Sequence, residues 1–424
     1  MACFLHLADI HLGYSKYNSP KRSTDFFYAL EDVLQRYAIE DPVDFVVMAG
    51  DLFEHRQILP HVLNQAQFCL EMLRDAGIPA ITIEGNHDHR PYGSRTSWLR
   101  YLAEQDWLIL LEPDDGQAAP DIFRPWDPDT KEGGYIDLAC GVRVVGSNWY
   151  GSAAPQAIQA LAAGLQELPP APGPTVMLFH HGLEGEIARY TGALRESELA
   201  PLREAGVNYL AMGHIHKSYT KAGWIFNPGS LEANSVAEND HDRGVYRVTL
   251  SGEDITADLK TDYCQRPIVR LVAAVAKTWS QDQVEAAALA LIQAQGPKTQ
   301  DAIVELRIQG QVGFNRLDLN VRQLKEQLHQ ASGALIFLLK YEVTGTEYQS
   351  PIPQGTAPNR EQIEAIVFGD LLAAHHLYGD RAAPLAQGLI TLKDQILADR
   401  PDADLYQYVQ QLLESNGEVV ERPT

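Results

Sequence analysis

The sequence predicts a layered α/β domain, followed by a smaller α+β unit and a helical segment, and three features of its 424 residues lead there. Through the first 250 residues, short apolar runs alternate with amphipathic stretches of helical period, the pattern of strands covered by helices. After residue 260 the pattern becomes strand, helix, strand, helix, strand. Beyond residue 360 only apolar stripes at helical spacing remain. A chain of this length divides into two or three domains, and the expected boundaries are 1–260, 265–350 and 351–424.

In the first region the predicted strands are 3–8 (CFLHLA), 43–49 (VDFVVMA), 79–83 (PAITI), 142–147 (VRVVGS), 175–180 (TVMLFH), 207–212 (VNYLAM) and 244–250 (GVYRVTL). Phe26, Leu30, Val33, Leu34 and Tyr37 fall on one helical face. Leu63, Ala66, Leu70 and Leu73 form a second, and Leu194, Leu199 and Leu202 a looser third. Residues 112–134 read as a turn-rich surface excursion and 168–174 (LPPAPGP) as a Pro-rich connector. In the second region, IVRLVAAV, AIVELRIQG and ALIFLLKYEV are strands, with helices at 280–294 and 317–331 between them. Residues 351–358 read as a linker. The last stripes comprise Ile363, Ile366, Val367 and Leu371; Leu385, Leu389, Leu392 and Ile396; and Leu405, Val409, Leu412 and Leu413.

Composition narrows the class. Hydrophobic residues at 45% and charged residues at 21% are those of a soluble globular protein. No apolar run reaches the roughly 18–20 residues of a membrane span, and MACFLHLADIH enters a strand pattern without the features of a secretory leader. The four cysteines, Cys3, Cys69, Cys140 and Cys264, form no CxxC pair, as expected of small buried side chains in a reducing cytoplasm. The net charge of -22 argues against strong nonspecific nucleic-acid affinity by this chain alone. The excess is uneven. Residues 261–350 carry 9 Lys and Arg against 9 Asp and Glu, whereas residues 351–424 carry 5 against 11. Bound divalent cations in the first region would offset part of its acidity, and a more basic partner would supply further charge.

The chemistry lies in five short motifs: Asp9-Ile10-His11, Gly50-Asp51, Gly85-Asn86-His87-Asp88, His180-His181 and Gly213-His214-Ile215-His216. Each stands at the end of a predicted strand, so oxygen and imidazole ligands from several strands are expected on one rim of the sheet. In Asp9-x-His11 and His214-x-His216, i, i+2 spacing in extended chain would send both side chains to one side. Carboxylate, amide and imidazole without thiolate suit Mn²⁺, Mg²⁺, Fe²⁺ or Zn²⁺, with Mn²⁺ favoured at the carboxylate-rich end. Eight such residues are too many for one ion and fit two ions about 3.5–4 Å apart, with Asp51 able to bridge them. Singly, each motif is weak. Together, five sets of polar residues interrupting buried apolar strands call for a common cause.

The order DxH, GD, GNHD, H, GHxH resembles that of the calcineurin-like metallophosphoesterases. The versions at 9–13 (DIHLG), 50–53 (GDLF), 85–88 (GNHD) and 213–216 (GHIH) are similar to the Mre11/SbcD nucleases of DNA repair, over about residues 1–250. That resemblance implies a β-sandwich flanked by helices, with Asp9, His11, Asp51 and His216 on a first metal and Asp51, Asn86, His180 and His214 on a second. It implies that His87 contacts the phosphate and assists the leaving group, and that the metals activate water for hydrolysis of a DNA phosphodiester. It further implies a DNA-orienting cap at 265–350, C-terminal helices docking on the coiled coil of an SMC-like ABC ATPase, and a homodimer. The chain departs from the family after GDLF, where Glu54-His55 stands in place of a common Asp or His.

Several alternatives stay open at this stage. His55, His89 and His181 read as supporting or surface residues, and Asn227-Pro228-Gly229-Ser230 as either a site-closing turn or an ordinary one. Arg307, Arg316, Arg322, Lys325 and Lys340 form either a positive face or a solvated one. The metal site by itself also suits a small-molecule or phosphoprotein phosphoesterase. GNHD in place of GNHE, and 160 further residues, favour a polymeric substrate. A non-catalytic scaffold for DNA ends would not need all eight site residues.

Overall fold

A computed structural model of the chain describes residues 1–186, 192–252, 254–345, 360–373, 378, 381–398 and 400–414. The linker expected at 351–358 and the side chain of Ile366 lie outside the described parts. The chain divides into two compact units. The first comprises Met1–Leu271, Gln295–Glu305 and His329–Leu338, and the second Val272–Ala294, Leu306–Leu328 and Leu339–Thr424.

Two six-stranded sheets build the first unit. In one, β1 (Ala2–Leu7), β2 (Phe45–Met48), β3 (Ala80–Thr82) and β4 (Ile109–Leu110) run parallel, with β11 (Val245–Ser251) antiparallel beside β1 and β12 (Asp254–Lys260) antiparallel beside β11. The other has the order β5 (Tyr135–Asp137), β6 (Arg143–Val145), β7 (Thr175–His180), β8 (Tyr209–Gly213), β10 (Ile225–Asn227), β9 (Tyr219–Lys221). Strand alternation explains why both sheets read as continuous apolar runs. From β1, Leu5 and Leu7 pack with Ala29, Leu30 and Val33 of helix α1 (Pro20–Leu34) and Ala66 and Leu70 of α2 (Pro60–Asp75). Phe4 points the other way and packs with Phe45, Val144, Val176 and Tyr209 between the sheets. The second sheet buries Met177, Phe179, Leu210 and Met212 against Ile158 and Leu161 of α5 (Ala154–Gln166) and Leu199 and Leu202 of α6 (Glu196–Glu204). Both sheets are therefore covered on both faces, in helix–sheet–sheet–helix layers.

The layer between the sheets holds one buried histidine. His6 Nε2 donates to the Met212 carbonyl at 3.1 Å, and Nδ1 accepts from the Tyr209 hydroxyl at 2.9 Å. Burial pushes this imidazole down to about 3, so it is held neutral.

Three expectations need adjustment. Leu194 precedes α6 and forms a parallel bridge with Leu183 instead of sharing the helical face. The excursion at 112–134 carries a helical turn, Ala119–Ile122, and buries Ile122 and Phe123. The short strands β9 and β10, and the edge strand β12, were not read from the sequence; at three residues each, β9 and β10 offer too little periodicity.

A third sheet has the order β13 (Ile268–Val275), β14 (Ile303–Gln311), β15 (Ile336–Thr344), with α7 (Gln281–Gln293) and α8 (Val321–Ser332) in the connections. Two of the cations proposed for a positive face are paired: Arg307 lies 3.6 Å from Glu342 and Arg322 3.3 Å from Glu326. The second unit ends in α9 (Arg360–Ala373), α10 (Ala382–Leu397) and α11 (Asp402–Glu414). Leu385, Ala386 and Ile390 of α10 are buried, whereas Ile363, Val367 and Leu371 of α9 stand exposed at i, i+4, i+8. No helix among the described residues is long and apolar enough to cross a membrane.

Candidate metal centre

The loops after β1 and β2 are bound to one another by main chain, and the loop after β3 joins them through carboxylates. Ile10 N–H donates to the Asp51 carbonyl at 2.9 Å and Leu12 N–H to that of Leu52 at 2.9 Å. At the end of the second sheet, His180 pairs with Gly213 across β7 and β8. The five motifs thereby meet at one rim. The Asp9 carboxylate accepts the His214 backbone N–H at 2.9 Å, and the Asp51 carboxylate that of His87 at 2.9 Å.

The expected extended geometry of the DxH and HxH pairs does not hold. Asp9 (φ 51°), His11 (φ 53°), Asp51 (φ 56°) and His214 (φ 89°) all adopt the left-handed region. A strand would point successive side chains to opposite faces, whereas these turns aim each ligand inward. Non-glycine residues are held there at a cost that functional sites commonly carry. Close packing is made possible by glycine. A Cβ on Gly50, itself at φ 87°, would strike the His180 ring, and one on Gly85 would fall on the Asp51 carboxylate.

Among the described residues three groups of possible ligand atoms result, one of which, His11, Glu54 and His87, shares His11 with the first of the two that hold the expected ligands. Asp9, His11 and His216 offer atoms within 4.8 Å of one another, as do Asp51, His180 and His214. In the first, His11 Nε2 lies 3.1 Å from His216 Nε2, which is 4.0 Å from Asp9 Oδ1. In the second, Asn86 Oδ1 lies 2.8 Å from His214 Nδ1 and 3.1 Å from His180 Nε2, and His180 Nε2 is 3.3 Å from Asp51 Oδ2. Asp9, His11, Asp51 and His180 are buried; Asn86, His87, His214 and His216 are partly exposed. The structure thus brings together all seven expected ligands, with His87 beside them.

The donor set fits cations. His180 Nδ1 donates to the Ala49 carbonyl at 2.7 Å, so Nε2 of the neutral ring carries a lone pair. That lone pair faces the Asn86 amide oxygen and the Asp51 carboxylate, two further acceptors. Converging acceptors with no proton between them are stabilised by a cation. The Asp51 carboxylate calls for a positive charge at this point, which either a proton on His180 or a metal ion in its place supplies. Burial opposes a charge on His180, but Asp51 pushes its imidazole up to about 9. Burial likewise opposes the Asp51 charge, yet His180 holds that carboxyl well below the usual range. Burial together with His180 pushes His214 down to about 2, leaving it a neutral ligand.

Other residues complete the site. His87 Nδ1 donates to the Glu54 carbonyl at 2.6 Å. His181 is buried and hydrogen-bonded to the Gly182 and Gly151 carbonyls at 3.0 and 2.9 Å, as suits a supporting residue. Asn227 is fully buried, and its amide donates to the Ile215 and Lys217 carbonyls at 2.7 and 2.9 Å, fixing the GHIH turn. Trp149 was not singled out in the sequence. Its ring centroid lies 5.6 Å from that of His180 and 5.1 Å from that of His214, forming a wall of the second cluster. Nor was Glu238, whose Oε1 lies 3.5 Å from His216 Nδ1. No motif marks either residue; only the fold brings them near.

A family model for calcineurin-like phosphoesterases matches residues 4–218, just over half of the chain. The chain is similar to the DNA double-strand break repair protein Mre11 of Archaeoglobus fulgidus, 45% identical over 247 residues that cover 55% of this chain and 51% of that protein. It is similar to the protein of the same name from Aeropyrum pernix, 27% identical over 257 residues, 59% of this chain and 58% of the relative. The metallophosphoesterase YhaO of Bacillus subtilis is 27% identical over 278 residues, 61% and 59%. The chain spans about half the length of the curated relatives it matches.

Proposed function

Because the chain belongs to the calcineurin-like phosphoesterase family, whose members bind divalent metals, we propose that it is a two-metal phosphodiesterase that cuts DNA in double-strand break repair. The observation that carries this reading is the position of Asp51, whose carboxylate lies beside the second ligand cluster while its backbone carbonyl binds the loop bearing the first. Asp9, His11, Asp51 and His216 would hold one ion, and Asp51, Asn86, His180 and His214 the other, with Mn²⁺ the favoured metal. When bound, the ions supply an acidified water and charge compensation at the phosphate.

The chain's own residues bind, orient and move a proton. The Glu54 carbonyl fixes His87 Nδ1 as a donor, so Nε2 is the atom left to meet a phosphate or leaving-group oxygen. In the imidazolium form it donates a hydrogen bond or a proton there, and in the neutral ring, with the proton on Nδ1, it accepts one. Its side chain is about a third exposed (35%), open enough for a polymer to reach. Trp149 excludes water from one side of the second cluster. Residues 265–350 would cap the site and orient DNA. The exposed α9 stripe supports docking of 351–424 on the coiled coil of an ABC ATPase, and the assembly would be a cytoplasmic homodimer.

The test is cleavage of linear duplex DNA by the purified chain with Mn²⁺, alone and with its partner ATPase. We expect metal-dependent cutting that falls by about 10²–10⁴-fold in His87→Ala. No cutting by the wild type, or equal cutting by the variant, would refute it.

A further inference from the structure

The two ligand clusters are supported differently, and the difference involves residues that no motif assigns. In the first cluster both histidines are backed by carboxylates. Glu54 Oε2 lies 2.9 Å from His11 Nδ1, and Glu238 Oε1 lies 3.5 Å from His216 Nδ1. Both glutamates are mostly shielded from water, their side chains 13% and 22% exposed. Glu238 is itself held, since its Oε2 accepts the Asn234 backbone N–H at 2.9 Å. A carboxylate oxygen thus stands beside each Nδ1, at His11 as a close charge contact without hydrogen-bond geometry, and the two Nε2 atoms lie 3.1 Å apart. In the second cluster the corresponding partner of His180 is a neutral backbone carbonyl, that of Ala49.

A carboxylate behind a ligating imidazole fixes its tautomer and raises its basicity, and removing such a partner commonly weakens metal binding about 10–100-fold. A carbonyl fixes the tautomer with less charge. From this we infer that Glu54 and Glu238 are positioning residues that make the Asp9–His11–His216 site the tighter of the two, so that the metals load in order. Glu54, the residue where the chain departs from its family's pattern, serves a second purpose: its backbone carbonyl holds His87. Loading order is thereby coupled to the placement of the phosphate-facing histidine. The inference rests on the two-metal reading above and deepens it.

Calorimetric titration of the metal-free full chain with Mn²⁺ tests this. Two binding steps are expected in the wild type, separated at least about tenfold. Glu54→Gln and Glu238→Gln should each weaken the tighter step by about 10–100-fold and leave the weaker step in place. A glutamate with a purely structural role would shift both steps together, or neither. Equal steps in the wild type, or variants that change both steps alike or neither, overturn the inference while leaving the two-metal reading intact. Fewer than two ions in the wild type would overturn both. Should the variants unfold, wild-type crystals soaked with one equivalent of Mn²⁺ give the answer. The anomalous peak should lie between His11 and His216, and a first peak at His180 and His214 overturns the inference.

Discussion

The Asp88 carboxylate accepts the Phe53 backbone N–H at 3.0 Å, and this bond ties the loop bearing Asp51 to the loop bearing Asn86 and His87. The same side chain accepts from Leu52 N–H at 3.2 Å and Gly85 N–H at 3.1 Å, and it is buried. Asp88 touches no proposed metal position, yet it sets the distance between two ligand loops. Removing it leaves three buried N–H groups without a partner, each costing about 1–3 kcal/mol. Asp88→Ala should therefore lower unfolding free energy by several kcal/mol in urea titration and weaken Mn²⁺ binding more than tenfold. Unchanged metal affinity in a variant that still folds would exclude this role.

Gly85 makes a sharper separation between fold and site. Its missing side chain leaves the space that the Asp51 carboxylate occupies. Gly85→Ala is expected to displace that carboxylate, so that metal loading and hydrolysis fall by at least about tenfold, with far-UV circular dichroism unchanged. Full loading by the variant would show that the loop adapts.

His6 predicts a pH dependence away from the metal ligands. Its folded imidazole titrates at about 3, below the unfolded value of 6.5. The unfolded chain thus binds a proton that the folded one refuses as pH falls from 6.5 to about 3. Stability from this group is complete above pH 6.5 and declines by a few kcal/mol, on the order of 1.4 per pH unit, toward the folded value. In metal-free protein the stability gap between wild type and His6→Gln should narrow as pH drops from 7 to 4. A gap independent of pH would rule this out.

The exposed α9 stripe gives a separable prediction. Truncation after residue 355 should abolish binding to the proposed coiled-coil ATPase in a pull-down while leaving Mn²⁺ binding intact. Retained ATPase binding would remove the assignment.

Much of the convergence of these residues was legible because the candidate ligands sit in short motifs at strand ends, where a polar residue breaking an apolar run is conspicuous. Asp9, Asp51 and His180 could be read in that way, and so could the two-faced burial of β1, β2, β7 and β8. What the sequence hid was local conformation and long-range proximity. The left-handed backbone at Asp9 and His11 accompanies main-chain bonding of their loop to that of Asp51, and that at His214 the bond of its N–H to the Asp9 carboxylate, which no i, i+2 rule anticipates. Glu238 lies 22 residues beyond His216, and Trp149 between β6 and α5, with no spacing to connect either to a ligand. Glu54 stood out only as a departure, and Asn227 only as a turn; their partners at His11 and Ile215 became visible in the folded chain.

The count of bound ions tests the central claim most directly. Elemental analysis of the full chain, dialysed against Mn²⁺ and freed of excess metal, should give two ions per chain in the wild type and a loss of metal in Asp51→Asn. One ion or none in the wild type would contradict the two-metal account.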